Sequence, residues 1–133
     1  MAASNSESPT DSDVLVVEDD REINQLVGAY VELAGFRYRA AFNGEEALDQ
    51  LRNRAPSLIV LDLMLPDLSG WEICRRVRHA QDTHDVLVII LTALDSDASR
   101  QEGRLCGAND YLTKPFDPQV FMQTLKKLGS PAA

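Results

Sequence analysis

Three apolar runs constrain this chain more than any other feature: "VLVV" at Val14 to Val17, "SLIVLD" at Ser57 to Asp62 and "VLVIIL" at Val86 to Leu91. Each is continuously apolar rather than alternating, which suits a strand covered on both faces. Weaker strand signals cover Phe36 to Ala41 and "DYLT" at Asp110 to Thr113. Between them lie helical patterns. The first carries Ile23, Leu26, Val27, Tyr30 and Val31 at helical spacing and ends near Gly35, a good C-terminal cap. In the second, Asn43 and Glu46 form a capping-box pattern ahead of Ala47, Leu48 and Leu51, and Pro56 stops it. Ser69 with Glu72 caps a third helix bearing Ile73 and Val77, while residues 96 to 106 are helix-compatible but poor in apolar side chains, so that helix is expected to pack loosely. Asp117 and Pro118 open a last helix with the face Val120, Phe121, Leu125 and Leu128.

Buried strands separated by helices predict an α/β fold, a doubly wound five-stranded parallel sheet flanked by five helices. At 133 residues the chain fits one domain with its own core. The polar stretch 1–12 is expected to be a disordered leader, 13–128 the domain, and 129–133 a flexible tail. Charge narrows the function further. With 21 acidic against 13 basic residues the net charge is -8, so direct binding of nucleic acid or an anionic membrane by this chain is not expected. No run is long enough to span a bilayer and no signal pattern opens the chain, which gives a cytoplasmic location as the default expectation. Cys74 and Cys106 lack metal-ligand spacing and read as two separate, reduced, partly buried thiols.

In open parallel sheets the ligand site lies beyond the carboxyl ends of the strands, where strand order reverses. Glu18, Asp19, Asp62, Thr92 and Lys114 all stand at or just past such ends, so they are expected to converge. Clustered carboxylates raise a pKa or recruit a cation, and oxygen ligands without His or Cys select a hard ion such as Mg²⁺. An ammonium and a hydroxyl added to that set suit phosphoryl transfer. No Walker-type glycine loop is present, so the phosphoryl group would arrive on a small molecule or a protein. Asp62, alone at its strand end, is then the best-placed carboxylate nucleophile.

"VLVVEDDRE", "LIVLDLMLPDLSGWEICRRVR", "VIILTA" and "GANDYLTKPFDP" together resemble the receiver domain of bacterial two-component response regulators, over about residues 13 to 128. The resemblance implies the flavodoxin-like (βα)5 receiver fold. It also implies a phosphoprotein rather than a conventional enzyme: Asp62 takes a phosphoryl group from a histidine kinase or histidine phosphotransfer protein, and the domain assists its own phosphorylation and dephosphorylation. Asp19 would bind Mg²⁺ directly, Glu18 through water, and the Met64 carbonyl would complete the ligands. Thr92 and Lys114 would contact the phosphoryl oxygens. Tyr111 would change rotamer as Thr92 moves, and the Lys114-Pro115 peptide would be cis. Positions 64 and 94 tune phosphoryl lifetime in the family; Met64 and Leu94 here imply slow loss of the group. Partners would be the phosphodonor, a downstream protein or effector domain, and a second phosphorylated copy, meeting the surface of segment 96 to 106, the Tyr111 strand and the last helix.

Glu18 and Asp19 alone would be helix caps, Lys114 a solvated lysine, and Tyr111 a core residue. Asp20 is left without a ligand role, Trp71, Phe116 and Phe121 are assigned to packing, and His79 and His84 to the exposed surface. A stand-alone regulator is favoured by chain length over the receiver half of a longer transcription factor or hybrid kinase. An aspartate-nucleophile phosphatase is disfavoured, because Met64 fills the second position of the D-x-D pattern such enzymes resemble.

Overall fold

In the computed structural model, which describes residues 12–129, strands and helices alternate along the described residues. The elements are β1 (Asp13–Val17), α1 (Arg21–Leu33), β2 (Arg37–Ala41), α2 (Gly44–Asn53), β3 (Leu58–Leu61), α3 (Gly70–His79), β4 (Leu87–Thr92), α4 (Asp97–Leu105), β5 (Asp110–Thr113) and α5 (Pro118–Gly129). All five strands are parallel, in the order β2-β1-β3-β4-β5. Val17 at the end of β1 lies opposite both Ala41 of β2 and Leu61 of β3. The winding direction therefore reverses between β1 and β3, and that reversal opens a crevice above their carboxyl ends.

The apolar runs divide by alternation between two cores, since successive strand side chains point to opposite faces. Val14, Val16, Leu58, Val60, Ile89 and Leu91 pack against Val27 and Val31 of α1 and Phe121 and Leu125 of α5. Leu15, Val17, Ile59, Leu61, Val88 and Ile90 face α2 and α3, through Ala47, Leu51, Ile73, Cys74 and Val77. Each such side chain, fully buried, contributes roughly 1.5–3 kcal/mol relative to an exposed one. Trp71 packs against the second core, and Phe116 stacks edge-on to Phe121 at 5.5 Å in the first. His79 and His84 are exposed, as expected.

Helix ends follow local chemistry. Gly35 takes φ +98°, a conformation only glycine adopts readily, and closes α1. Asn43 accepts the Glu46 N–H at 2.8 Å, but Glu46 reaches back to the Phe42 N–H instead of the Asn43 N–H. The Ser69 hydroxyl caps α3 through the Trp71 N–H at 3.0 Å, whereas Glu72 turns outward to Arg75 and Arg76. The Lys114-Pro115 peptide is cis.

Several expectations need correction. Leu26 and Val120, expected on buried faces, are 48% and 44% exposed; Asn24 and Thr124 take the inward positions instead. A polar side chain can replace an apolar one there because each finds backbone acceptors: Asn24 the carbonyls of Val16, Glu18 and Ala41, Thr124 that of Val120. Helix α4 is as loosely packed as expected, with Gly103 its sole buried residue. The Ser12 carbonyl accepts the Arg37 N–H, and Gly129 ends α5. The rest of the leader and tail, 1–11 and 130–133, lies outside the described residues. None of the described helices is long and apolar enough to cross a membrane.

Candidate functional site

The carboxyl ends of β1, β3 and β5 bring Glu18, Asp19, Asp62 and Lys114 together. One carboxylate oxygen from each acid lies within 4.8 Å of those of the other two. The Lys114 ammonium donates to Glu18 Oε1 at 2.5 Å and to Asp62 Oδ2 at 3.0 Å. Asp62 Oδ1 accepts the Met64 backbone N–H at 3.1 Å, which answers how an acid can end a buried strand: both its oxygens have partners. Glu18 and Asp62 are 5% and 6% exposed, while Asp19 faces solvent.

Backbone geometry holds this arrangement. Gly70 begins α3 so close behind the site that a Cβ there would stand 2.5 Å from the Asp62 carbonyl oxygen. Asn24 ties the Glu18 carbonyl to the neighbouring strands, and Glu18 Oε2 in turn accepts the Asp20 N–H at 2.9 Å. Asp20 itself turns away to cap α1 through the Ile23 N–H. Asn24 was missed in the sequence reading, although a polar residue flanked by apolar Ile23 and Val27 was the available signal. Asp67 was missed too. Its carboxylate leaves the loop after β3 and accepts the Gly44 and Glu45 N–H groups at the start of α2, at 2.8 and 2.9 Å.

Burial pushes the Glu18 carboxyl above its usual range, outweighing the opposing bonds from Lys114 and the Asp20 N–H. Burial acts against the Lys114 ammonium, but its bonds to Glu18 and Asp62 prevail and raise it. Three acids around one ammonium leave a net negative, oxygen-only cluster. The donor set fits a hard divalent cation, with Glu18, Asp19 and Asp62 as candidate ligands.

Thr92 and Tyr111 do not join that cluster directly; they meet at Leu94. Buried Thr92 ends β4, and its hydroxyl oxygen lies 3.5 Å from the Leu94 N–H, while the Tyr111 hydroxyl donates to the Leu94 carbonyl at 2.7 Å. Arg100 of α4 lies 5.1 Å over the Tyr111 ring, and burial raises that phenol above its usual range. The loop after β4 is thus held from β4 and β5 at one residue.

Residues 14–126 match the family described as the response regulator receiver domain. The transcriptional regulatory protein GltR of Pseudomonas aeruginosa is 39% identical over 115 residues, 86% of this chain and 48% of its own length. The chain spans about half the length of the curated relatives it matches. Among solved structures, the chemotaxis protein CheY4 of Vibrio cholerae superposes with a TM-score of 0.82 at 31% identity, covering 88% of this chain and 98% of that one. Response regulator DrrB of Thermotoga maritima, an OmpR/PhoB homologue, gives 0.78 at 37% identity, covering 86% of this chain and 51% of that one.

Proposed function

This chain belongs to the response regulator receiver family of two-component signalling, and from that membership we propose that Asp62 is its phosphoacceptor. The observation that carries the reading is the Asp62 carboxylate, set between the Lys114 ammonium and two further acids at the strand reversal. An Asp62 oxygen attacks the phosphorus of a phosphohistidine on a kinase or phosphotransfer protein. The P–N bond breaks, its electron pair leaves with the imidazole, and an acyl phosphate forms on Asp62. Lys114 follows the new negative charge, and the Thr92 hydroxyl donates to a phosphoryl oxygen. Asp19, Asp62 and the Met64 carbonyl would hold Mg²⁺ directly and Glu18 through water, and the bound ion would supply charge neutralisation at the phosphoryl oxygens.

The apolar groove of about 490 Å³ beside Lys114, lined by Ile23, Leu26, Tyr30 and Phe116 among others, offers the phosphodonor a footing, which gives exposed Leu26 a purpose. Movement of Thr92 toward the phosphate draws on the Leu94 peptide, and Tyr111 and α4 then shift to change the surface formed by α4, β5 and α5. That surface is where an effector domain, a separate target or a second copy binds; a crosslink map of the phosphorylated form confined to α1 and α2 overturns this. The half-length match to transcriptional regulators favours an effector domain as the recipient. Met64 and Leu94 cannot orient an attacking water, so the phosphate is held for minutes or longer; decay within seconds overturns that part.

The test is incubation with acetyl phosphate and Mg²⁺ followed by intact mass measurement. One added phosphoryl group is expected, absent in Asp62→Asn. Incorporation that persists in Asp62→Asn overturns the assignment, as does a wild-type protein that takes up none.

A further inference from the structure

The two cysteines that look unrelated in sequence meet in space. Cys74, fully buried on α3, directs its thiol to the Cys106 carbonyl oxygen at 3.2 Å. Cys106 is the C-terminal cap of α4, with its sulfur 3.4 Å from the Gly103 carbonyl oxygen. Both are free thiols. Arg78 of α3 clamps the same seam by donating to the Gly107 carbonyl at 3.0 Å and to Asn109 Oδ1 at 2.8 Å. The residues on the C-terminal side of Cys106 are therefore fixed against the helix that carries Cys74.

Their surroundings differ in a way that assigns different chemistry to each. Cys106 is half-buried and opens on a groove of about 430 Å³ whose wall includes Arg75, Arg78 and His79. The neighbouring Cys74 thiol lowers Cys106 to about 7 in spite of burial, helped by the Ala108 N–H and Arg75 and opposed by Glu102. The Cys106 side chain and burial together raise Cys74. A partly exposed thiolate beside cations is the reactive kind, and an enclosed protonated thiol lying against the same residue's backbone suits a resolving partner.

We propose that Cys106 and Cys74 form an oxidant-responsive dithiol, with Cys106 reacting first with a hydroperoxide and Cys74 closing the disulfide. The Cys106 thiolate sulfur attacks a peroxide oxygen; the O–O bond breaks, and its electron pair leaves on hydroxide or alkoxide, which takes a proton. Cys74 sulfur then displaces the oxygen of the Cys106 sulfenic acid, and the Cys74 proton departs with that oxygen as water. The two thiols together give up two electrons, and the peroxide accepts them. The new bond fastens the end of α4, a helix that buries only Gly103, to the core-packed α3. In a reducing compartment such a bond is transient and regulatory rather than structural.

Hydrogen peroxide treatment of the full chain, catalase quenching and non-reducing peptide mapping test this, with the phosphoacceptor variant Asp62→Asn run alongside to keep the two readings separate. A Cys74–Cys106 cross-linked peptide is expected in both proteins, reversed by dithiothreitol. Cys106→Ser abolishes it, and Cys74→Ala leaves a Cys106 sulfenic acid that dimedone traps. Before oxidation, iodoacetamide labels Cys106 at least about tenfold faster than Cys74. Two thiols that stay alkylatable after peroxide overturn the proposal, as does a disulfide found only between molecules. Since Cys74 is in the core, Cys106→Ser, on the half-buried side, is the variant that keeps the test valid if Cys74→Ala fails to fold.

Discussion

A buried acid stands at each end of the sheet, and the two are solved in opposite ways. At the amino edge Asp13, 4% exposed, accepts Arg39 at 2.9 Å and Arg54 at 3.0 Å. One carboxylate has two guanidinium partners, so its negative charge is compensated and none is left over to recruit a cation. At the carboxyl edge Glu18, Asp19 and Asp62 share one ammonium. That edge keeps an excess of negative charge in a crevice, which costs stability until a cation arrives. The ratio of acids to bases, more than burial, separates a structural ion pair from a site with work left to do.

The sharpest way to break this contrast is chemical. Asp62→Asn is expected to lose all phosphoryl incorporation from acetyl phosphate, while Asp13→Asn retains it, as read by intact mass. Equal loss in both would erase the distinction. Next in size is stability. Asp13→Ala leaves the Arg39 side chain, 16% exposed, without its carboxylate and is expected to cost on the order of 2 kcal/mol in urea unfolding. Arg54→Ala costs less than about 1 kcal/mol, because that side chain is 64% exposed. Asp19→Asn in chelator is expected to change stability by about 0.5 kcal/mol or less, in the stabilising direction, since it relieves repulsion without emptying a pair.

A divalent ion should reverse that last sign. At ten times its Kd, Mg²⁺ stabilises the wild type by about 1.4 kcal/mol, seen as a higher Tm, and Asp19→Asn loses most of the gain. The amino edge should not respond, so Asp13→Asn keeps the full shift. The smallest effect concerns the loop beneath the site. The Gly44 N–H, with those of Glu45 and Leu68, holds Asp67 below its ordinary value of 3.8. A depressed carboxyl stabilises the fold above that ordinary value and loses its contribution as pH falls through the folded value, so Asp67→Asn should flatten the stability curve only below about pH 4. An Asp67 carboxyl resonance titrating at or above 3.8 would count against this.

The continuous apolar runs carried the fold: only a sheet covered on both sides buries Val14 to Val17, Leu58 to Leu61 and Val88 to Leu91 together, and the intervening helices supply that cover. The polar residues at their ends carried the site, because parallel strands all deliver their carboxyl ends to one rim. Periodicity misjudged Leu26 and Val120, since a stripe drawn from apolar residues alone cannot see Asn24 or Thr124 finding backbone acceptors inside. Asp67 was invisible for a related reason: its partners, Gly44 and Glu45, lie more than 20 residues away and are joined to it only by folding.

What the sequence by itself determined is the alternation of strand and helix and the acids, threonine and lysine placed at strand ends, because both follow from local pattern and from one rule of parallel sheets. What only the tertiary structure decided is who shares a proton or a charge with whom: Lys114 between Glu18 and Asp62, Thr92 and Tyr111 on the two sides of Leu94, Cys74 against Cys106. Such pairings depend on distances of a few ångströms between residues tens of positions apart, and these are fixed by packing rather than by spacing along the chain.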